Sequence, residues 1–483
     1  VGLQLTALAL ARQPANWHMP TGQAHIFDYL AEEVLHRERP PVQDFLIKTS
    51  LFDRFCVPLC EAIFPAMQSA AQLEDDLPVN SVSDLLAYIE RSNLFLVHLD
   101  AAGVWFRYHA LFTDFLRKQI PEEQALPLYR AASLWFEQNG ALDNAIHYAI
   151  HTGDFERAAG LLENFYREML QRGEQATLLE WLSEMPPKLL ESHPRLSLAR
   201  GWANIISLNS AEAEACADKV LALFPAGELG ERLRGEAKAL HILAGIFAGK
   251  VAGADEISES FVLLSAQDHF LHSLLHFNLG LRHVMLGETA QAVESLSETL
   301  RLTRVLNNPL VTIVAGLQLG ETRQIRGALG LAERAFQQTI QYARDTLGEH
   351  TFLLGMPYIS YADLLREQNR FDDAIRYAEQ GINFCQVWQP VASMDGLIAL
   401  ARMKASRGDW EEAFSHLEHA MEAAEASASK LDDTFIAVHL VRLALLQGDL
   451  ARAMHWIKIY DLENVTREMY YLVREMIHLV LLR

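Results

Sequence analysis

Cysteine and long apolar runs are scarce in this 483-residue sequence, and both absences exclude classes of protein. Four cysteines are too few to cross-link a chain of this length with disulfides, and so low a number is typical of proteins of a reducing cytoplasm. Cys56 and Cys60 are spaced C-x3-C in an apolar helical pattern, which favours buried thiols over a metal site. No apolar run reaches the roughly 18 residues that a membrane-spanning helix needs. The opening Val1-Gly2-Leu3-Gln4 is no signal peptide, so we expect a cytoplasmic protein with no membrane contact.

Basic residues are also in deficit. Lys and Arg number 41 against 62 Asp and Glu, which gives a net charge of −21. A chain this acidic repels nucleic acid and anionic membranes, so we expect neither to bind it directly. The tryptophans in helical contexts are expected to lie in the core rather than to stack on bases: Trp181, Trp202, Trp388, Trp410 and Trp456.

Motifs for catalysis and phosphate binding are missing. The segment Ala244–Val251 resembles a P-loop, but it has Ala where the first Gly belongs and Val where a hydroxyl must reach Mg²⁺. No G-x-S-x-G nucleophile elbow is present. His269, His272 and His276 share helical spacing but have no acidic ligand within the run, which favours packing and surface roles over metal. We therefore expect no catalytic residue, no metal and no cofactor bound by this chain alone.

The N-terminal quarter mixes helices with a short hairpin. Residues 1–37 predict two helices, and residues 38–120 predict three helices, a hairpin and a closing helix. Ser81 is the expected N-cap of the third helix. The runs LFLVHLD and VWFRYH predict strands joined by a turn at Ala101-Ala102-Gly103. Three helices followed by a two-stranded wing are the outline of a winged helix.

The rest of the chain carries a repeat in which a helix break precedes an alanine by five residues. The breaks are Gly287, Gly327, Asn369, Gly408 and Gly448, and the alanines are Ala292, Ala332, Ala374, Ala413 and Ala453. By subtraction, successive alanines lie 40, 42, 39 and 40 residues apart. Weaker copies occur at Gly249, Gly153 and Gly140, and a degenerate one near Asn209. A fixed period of this length is typical of stacked two-helix units.

Small and bulky residues recur at fixed distances from these breaks. Seven residues before them stand Gly280, Gly320, Ala362, Ala401 and Val441, of which the first four are small. Nine residues after them stand apolar residues, namely Leu296, Phe336, Ala378, Leu417 and Ile457. Two helices approach closely only where neither carries bulk, and the break residue must adopt a positive φ that Gly and Asn tolerate. We therefore predict a mainly α protein, with a TPR-like α–α superhelix over 121–483. The alternative is one irregular helical bundle.

In each two-helix unit, the number of residues before the break predicts which residues of the first helix face the inner side of the superhelix. The polar and aromatic members chosen as candidate ligand-binding residues are Phe277, Asn278, Gln318, Glu321, Asp363, Arg366, Asp395, Arg402, His439 and Arg442. Such a mixture suits a small polar ligand such as a sugar, and it also suits a peptide. A wet groove that binds nothing is the alternative, since every superhelix has an inner face.

The N-terminal sequence resembles the MalT family of ATP-dependent LuxR-type transcriptional regulators. The resemblance rests on VGLQLTALAL, on FDYLAEEVLHRERPPVQDFLIKTSLFDRFCVPLCEAI, on LLAYIERSNLFLVHLD and on WFRYHALFTDFLR. It implies that 1–37 ends a helical linker of a nucleotide-binding module, that 38–120 is a winged helix and that 121–483 is a sensor. The first and last residues both interrupt helical patterns, so we expect a segment of a longer protein. Its ATP-binding module and its DNA-binding helix-turn-helix would then lie outside these residues.

The resemblance also implies roles and partners. In nucleotide-switching regulators of this broad class a winged-helix histidine contacts the ADP phosphate, and that role would fall to His109, with Arg107 as a second candidate. A His that only stabilises the wing, and an Arg that lies in water, are the alternatives. The implied partners are a small-molecule inducer or a regulatory protein on the superhelix, other copies of the active parent, and DNA through the missing helix-turn-helix. A scaffold that binds proteins and senses no small molecule is the rival function.

Overall fold

The structure is a computed structural model that describes residues 34–64, 81–223, 230–262, 268–306, 308–388, 390–425 and 430–462. The helices predicted for the first 33 residues and for the last 21 lie outside that set. The described chain divides into two compact units, the first reaching Phe165 and including Glu184–Leu189, the second comprising Tyr166–Ser183 and the residues from Leu190 onward. Within these ranges no helix has both the length and the apolar character that crossing a bilayer requires.

The N-terminal elements follow the predicted order of helices, hairpin and closing helix. They are α1 (Pro40–Thr49), α2 (Val57–Ile63), α3 (Val82–Arg91), β1 (Leu96–His98), β2 (Phe106–Tyr108), α4 (Ala110–Arg117), α5 (Glu122–Gln138) and α6 (Leu142–His151). The Oγ of Ser81 accepts a hydrogen bond from the backbone N–H of Asp84 at 3.1 Å, so the predicted N-cap is confirmed.

The wing is a two-stranded antiparallel sheet in which Val97 pairs with Arg107. Gly103 sits in its turn with a φ of +66°, and the carboxylate of Asp100 accepts the backbone N–H groups of the two residues that follow Gly103. Phe55 exchanges two backbone hydrogen bonds with Phe106 across the outer side of β2. The strands are shorter than predicted because regular pairing covers only three residues on each side.

Buried aromatic residues join the wing to the helices of the first unit. The ring of Tyr108 lies 5.0 Å from that of Phe55, and its hydroxyl is 2.8 Å from the Oγ1 of Thr49. All three residues are at most 3 % exposed. The hydroxyl pair satisfies both polar groups inside the core, which removes the penalty that an unpaired hydroxyl would carry.

Helices alone make up the remaining described elements. They are α7 (Phe155–Arg172), α8 (Gln175–Glu184), α9 (Pro187–Ser192), α10 (Pro194–Ile206), α11 (Ser210–Leu223), α12 (Gly230–Phe247), α13 (Ala254–Val262), α14 (His269–Met285), α15 (Thr289–Leu306), α16 (Pro309–Ile325), α17 (Leu329–Leu347), α18 (Gly355–Glu367), α19 (Phe371–Trp388), α20 (Met394–Ser406), α21 (Trp410–Glu425), α22 (Lys430–Gln447) and α23 (Leu450–Ile459). Short 3₁₀ segments, Phe352–Leu354 and Pro390–Ser393, precede α18 and α20. We call the even-numbered helices from α10 to α22 the A helices and the odd-numbered ones from α11 to α23 the B helices. The predicted helical repeat is confirmed.

Each predicted break has the predicted backbone conformation. The φ angles are +76° at Gly287, +72° at Gly327, +60° at Asn369, +86° at Gly408 and +87° at Gly448. At each break the next backbone N–H reaches back to a carbonyl five residues earlier and closes the A helix. The degenerate copy is centred on Leu208 rather than Asn209, because Leu208 takes the positive φ, +59°. Gly201 lies seven residues before it and Ala213 five residues after.

The small residues lie where the A and B helices cross. A Cβ added to Gly280 would come within 2.8 Å of Leu296, and one added to Gly320 would come within 2.4 Å of Phe336. Leu296 and Phe336 are both fully buried. At these two breaks the side chain nine residues after the break therefore fills the space beside the glycine seven residues before it, and this pairing sets the distance between the two helices.

We expect Gly320→Ala to lower the free energy of unfolding by about 1–3 kcal/mol, because the new methyl group must displace the Phe336 ring in a closely packed crossing. Urea unfolding of the chain measures the change. Gly330→Ala is the matched control, since nothing lies within 4 Å of its added Cβ and alanine favours helix. A Gly320→Ala variant as stable as Gly330→Ala would contradict the crossing described above.

Candidate ligand-binding site

One position of the A helices changes character along the second unit. Six residues before the break, the first three A helices carry apolar side chains and the next four carry charges. The row runs Trp202, Leu243, Leu281, Glu321, Asp363, Arg402, Arg442. Residues at the same position of successive A helices lie side by side in a stacked array. The row therefore divides one face of the array into an apolar part and a charged part.

The charged part contains two hydrogen-bonded groups, around Glu321 and around Asp363, which together span three A helices. The Glu321 carboxylate accepts from the hydroxyl of Ser360 at 2.7 Å and from the amide of Gln318 at 2.9 Å. Asp363 accepts from Arg366 at 2.8 Å and from Arg402 at 3.1 Å. The amide of Gln324 also donates to Asp363 at 3.1 Å. We call these residues the polar ladder: Gln318, Glu321, Gln324, Ser360, Asp363, Arg366 and Arg402.

Opposite charges hold Asp363 ionised although it is only 28 % exposed. Burial raises the pKa of its carboxyl, but the charges of Arg402 and Arg366 and the hydrogen bonds they make outweigh that effect and hold the pKa below its usual value. The two guanidinium groups are themselves mostly buried, at 22 % and 16 % exposed. The centre of the ladder is therefore one ionised carboxylate held by two guanidinium groups, one from its own helix and one from the next A helix.

Glu321 is in the opposite situation, because its carboxylate accepts hydrogen bonds, among the described residues, from a hydroxyl and an amide and not from an arginine. Burial, together with the nearby carboxylates of Asp395 and Asp363, raises the pKa of Glu321 to about 7 against the hydrogen bonds from Ser360 and Gln318. Near neutral pH the ladder thus holds a carboxyl that is able to donate as well as accept a hydrogen bond.

His439 extends the charged part on α22. It is 3 % exposed, and its Nδ1 has no hydrogen-bond partner among the described residues. Burial, together with the charges of Arg402 and Arg442, lowers the pKa of His439 to about 3. The imidazole is therefore neutral at physiological pH and packs edge-on against Phe435, at 5.2 Å between ring centroids.

The apolar part of the row lines one side of a partly open cavity of about 200 Å³. Its walls come from α7, from the A helices α10, α12, α14 and α16, and from the 3₁₀ segment and first turn of α18. We call this the apolar cavity; its lining includes Trp202, Phe277, Leu281, Leu317 and Met356. Gln318 belongs to both regions, since it lines the cavity and donates to Glu321.

A buried ion pair stands in the cavity wall. Glu236 is 2 % exposed, and its Oε1 accepts hydrogen bonds from the Tyr166 hydroxyl at 2.9 Å and the Trp202 Nε1 at 3.1 Å. Its Oε2 accepts from Arg167, whose guanidinium lies 4.4 Å from the Phe270 ring centroid. Both carboxylate oxygens are therefore satisfied inside the protein, as a buried charge requires.

The structure divides the ten sequence-predicted ligand residues into groups. Five of them belong to the polar ladder: Gln318, Glu321, Asp363, Arg366 and Arg402. Three more lie close to it, because the charge of Asp395 raises the pKa of Glu321 and the charges of Arg402 and Arg442 lower the pKa of His439. Phe277 lines the cavity instead.

Asn278 lies at a contact between two helices. Its side chain is 1 % exposed and donates to the backbone carbonyl of Ala239 at 2.8 Å, so it ties α14 to α12, while its Oδ1 has no hydrogen-bond partner among the described residues. Its role in ligand binding stays a prediction. Sequence reasoning missed Glu236, Tyr166 and Arg167, and it placed Trp202 in the core, whereas Trp202 also lines the cavity.

The two nucleotide candidates lie at the end of the wing in the first unit. Arg107 is exposed in β2, between two buried aromatic residues. His109 is half-buried and occupies the N-cap position of α4, one residue beyond the strand, where its extended backbone donates a hydrogen bond to the carbonyl of Phe95 at 3.0 Å. The Nδ1 of His109 is buried and has no hydrogen-bond partner among the described residues.

Metal chemistry has no evident place in the described ranges, where no group of three or more His, Cys, Asp and Glu side chains is arranged to hold an ion. His272 and His276 instead contact the ring of Phe261, at 5.7 and 4.9 Å between centroids. All four cysteines are buried free thiols, Cys56 and Cys60 among them.

Comparison with protein families gives two matches to this chain. The model of the MalT winged helix domain matches residues 31–127. The model of the MalT-like TPR region matches residues 235–483, which is just over half of the chain.

Curated relatives and solved structures agree with those matches. The HTH-type transcriptional regulator MalT of Klebsiella pneumoniae is 27 % identical over 478 residues, covering 94 % of this chain and 50 % of MalT. The serine/threonine-protein kinase PknK of Mycobacterium tuberculosis is 30 % identical over 239 residues, 48 % of this chain and 20 % of PknK. The chain thus spans about half of one relative and a fifth of the other. A STAND protein with a tetratricopeptide repeat sensor from Pyrococcus horikoshii has the same fold, with a TM-score of 0.51, 15 % identity, and coverage of 99 % of this chain and 69 % of its own.

We expect Glu321→Gln to change how stability depends on pH. Between about pH 4.5 and 7, the Glu321 carboxyl is protonated in the folded state, where its pKa is about 7, and ionised in the unfolded state. Its contribution to the free energy of unfolding is therefore lost as pH rises through that window. Urea unfolding at pH 5.5 and pH 8 should show the original chain losing stability relative to Glu321→Gln. Glu294→Gln, at an exposed site, is the control, and an identical pH dependence in all three proteins would refute the raised pKa.

Proposed function

Because the chain belongs to the MalT-like family, we propose that it is the regulatory segment of a larger LuxR-type transcriptional regulator. The second unit would be the sensor, and its A-helix face would bind the effector, either a small-molecule inducer or a regulatory protein. The observation that carries this proposal is the junction at Gln318, where the apolar cavity meets the polar ladder. A concave apolar space with a few placed polar groups beside it is the usual chemistry of a ligand site.

The proposed mechanism is a shift between two arrangements of the parent protein. An effector that binds one arrangement more tightly moves the equilibrium toward it by that difference in affinity. In the parent, the two arrangements would be a closed ADP-bound form and an open ATP-bound form that self-associates. This chain would catalyse nothing and would act in the cytoplasm. ATP hydrolysis and DNA binding would belong to an ATPase module and a helix-turn-helix outside the chain.

His109 is the residue that we propose as the link to the nucleotide. Its buried Nδ1 without a partner among the described residues fits a group that acquires a hydrogen-bond acceptor in the parent. ADP would supply phosphate oxygens as that acceptor, and the exposed Arg107 would add a positive charge nearby.

We expect a thermal-melting screen with oligosaccharides, amino acids and aromatic compounds to find an effector that raises the melting temperature, because ligand binding to the folded state alone stabilises it. The shift should disappear in Arg402→Ala or Glu321→Ala, which remove ladder groups. Arg407→Ala is the control, since its guanidinium pairs with the fully exposed Asp372. No shift across a broad panel would favour the scaffold function instead.

We expect His109→Ala in the full-length parent to weaken ADP retention by about tenfold or more, because a charge-assisted hydrogen bond of about 1.5–3 kcal/mol would be lost. Equilibrium dialysis with ADP measures this. His98→Ala, another wing histidine, whose imidazole pairs with Glu90 at the surface, is the control. Unchanged ADP affinity and basal activity in His109→Ala would remove this role.

A further inference from the structure

We propose that the effector is an uncharged, mainly apolar molecule about the size of one substituted aromatic ring, and that it occupies the apolar cavity. This inference rests on the proposed function and narrows it, because the sequence alone pointed to a polar ligand such as a sugar. The argument depends on the cavity's size, on its charges and on the elements that it joins.

The size and lining favour an apolar occupant over water. A cavity of about 150 Å³ lined by leucine, isoleucine and phenylalanine stays dry and binds benzene. The cavity here is somewhat larger, about 200 Å³, is partly open to solvent and is lined chiefly by the same residue types with Trp202 and Met356. Water that enters it would find few hydrogen-bond partners on its largely apolar walls. A compact apolar molecule would fill that space and would displace little that is well bound.

The charges in the wall exclude an ionic ligand. Among the lining residues the charged side chains are Arg167 and Glu236, and each already pairs with the other. The remaining Glu236 oxygen accepts from Tyr166 and Trp202. A carboxylate or an ammonium ion would therefore lose its hydration and meet no uncompensated opposite charge. An uncharged molecule avoids that penalty.

Gln318 provides the place for one polar substituent. Its amide lies in the cavity wall and is held by a 2.9 Å hydrogen bond to Glu321, so its orientation is fixed from the polar side. A hydroxyl or amide on the ligand would meet a positioned partner there, while the ring remained in the apolar part. The cavity thus selects for an uncharged amphipathic molecule rather than for a sugar with a hydroxyl on every carbon.

The cavity also joins segments that are far apart in the sequence. Tyr166, Arg167, Leu170 and Gln171 form one wall, and Phe352, Leu353, Met356 and Pro357 form another. Beside it, Gly173 has a φ of +80°, and Phe352 packs so closely that an added Cβ would come within 2.5 Å of its ring. An occupant would touch both walls at once, so its binding energy would favour the arrangement in which they meet.

The test compares two compounds of one shape and different charge, phenylacetamide and phenylacetate, by calorimetry and saturation-transfer NMR on the whole chain. We expect phenylacetamide to bind at least tenfold more tightly than phenylacetate. Val314→Phe, which places a ring in the cavity from a half-buried position, should weaken phenylacetamide binding at least tenfold. Val305→Phe makes the same substitution at a site 74 % exposed and should leave binding unchanged.

Circular dichroism checks that Val314→Phe is folded, and Leu310→Phe, another half-buried lining residue, replaces it if it is not. Equal affinity for the two compounds, no binding of phenylacetamide, or full binding by both filling variants would overturn the inference. The proposed function would survive those results if another compound of the melting screen, an oligosaccharide for instance, gave a shift that Arg402→Ala abolished. It would fall with the inference only if the whole screen were silent.

Discussion

The crossing of each A helix with its B helix is the constraint on which the second unit depends. At Gly280 and Gly320 a glycine on the A helix leaves room for a leucine or a phenylalanine on the B helix, and at each break a residue with positive φ reverses the chain between the two helices. Because this pairing repeats about every 40 residues, successive A helices are brought side by side with equivalent positions aligned. A row of residues six before the break then becomes one continuous surface. Regular stacking of the helices thus turns a sequence periodicity into a site formed by five or more helices.

Much of the helical architecture is readable from the sequence because its signals are local. Glycine and asparagine mark the breaks, and small residues mark the crossings, so pairs of helices follow directly. The copy at Leu208 shows the limit of that reasoning. Leucine seldom takes a positive φ, so sequence patterns place the break one residue late, and only the backbone identifies it. The strands of the wing are shorter than their residue pattern predicts, since β propensity depends on pairing that the sequence does not display.

The candidate site was only half predictable for a different physical reason. Charged side chains at inward positions stand out in a sequence, because burial of charge requires an explanation, and Glu321, Asp363 and Arg402 are found together as expected. The apolar half leaves no such signal. Trp202, Leu281 and Leu317 have the identity of core residues, and what distinguishes them is the space left between helices, which is a property of their arrangement. Asn278 shows a second limit, since a buried amide that ties two helices has the same appearance in sequence as one that binds a ligand.

The contact between Gly173 and Phe352 changes the mechanics of the helical array. In a stack in which every unit touches only its neighbours, the effect of a local change decreases with distance along the chain. Here the ring of Phe352, in the 3₁₀ segment before α18, rests against the turn after α7, about 180 residues earlier. Moving one of these segments away from the other would break that contact, so the two are coupled directly and not only through the helices between them.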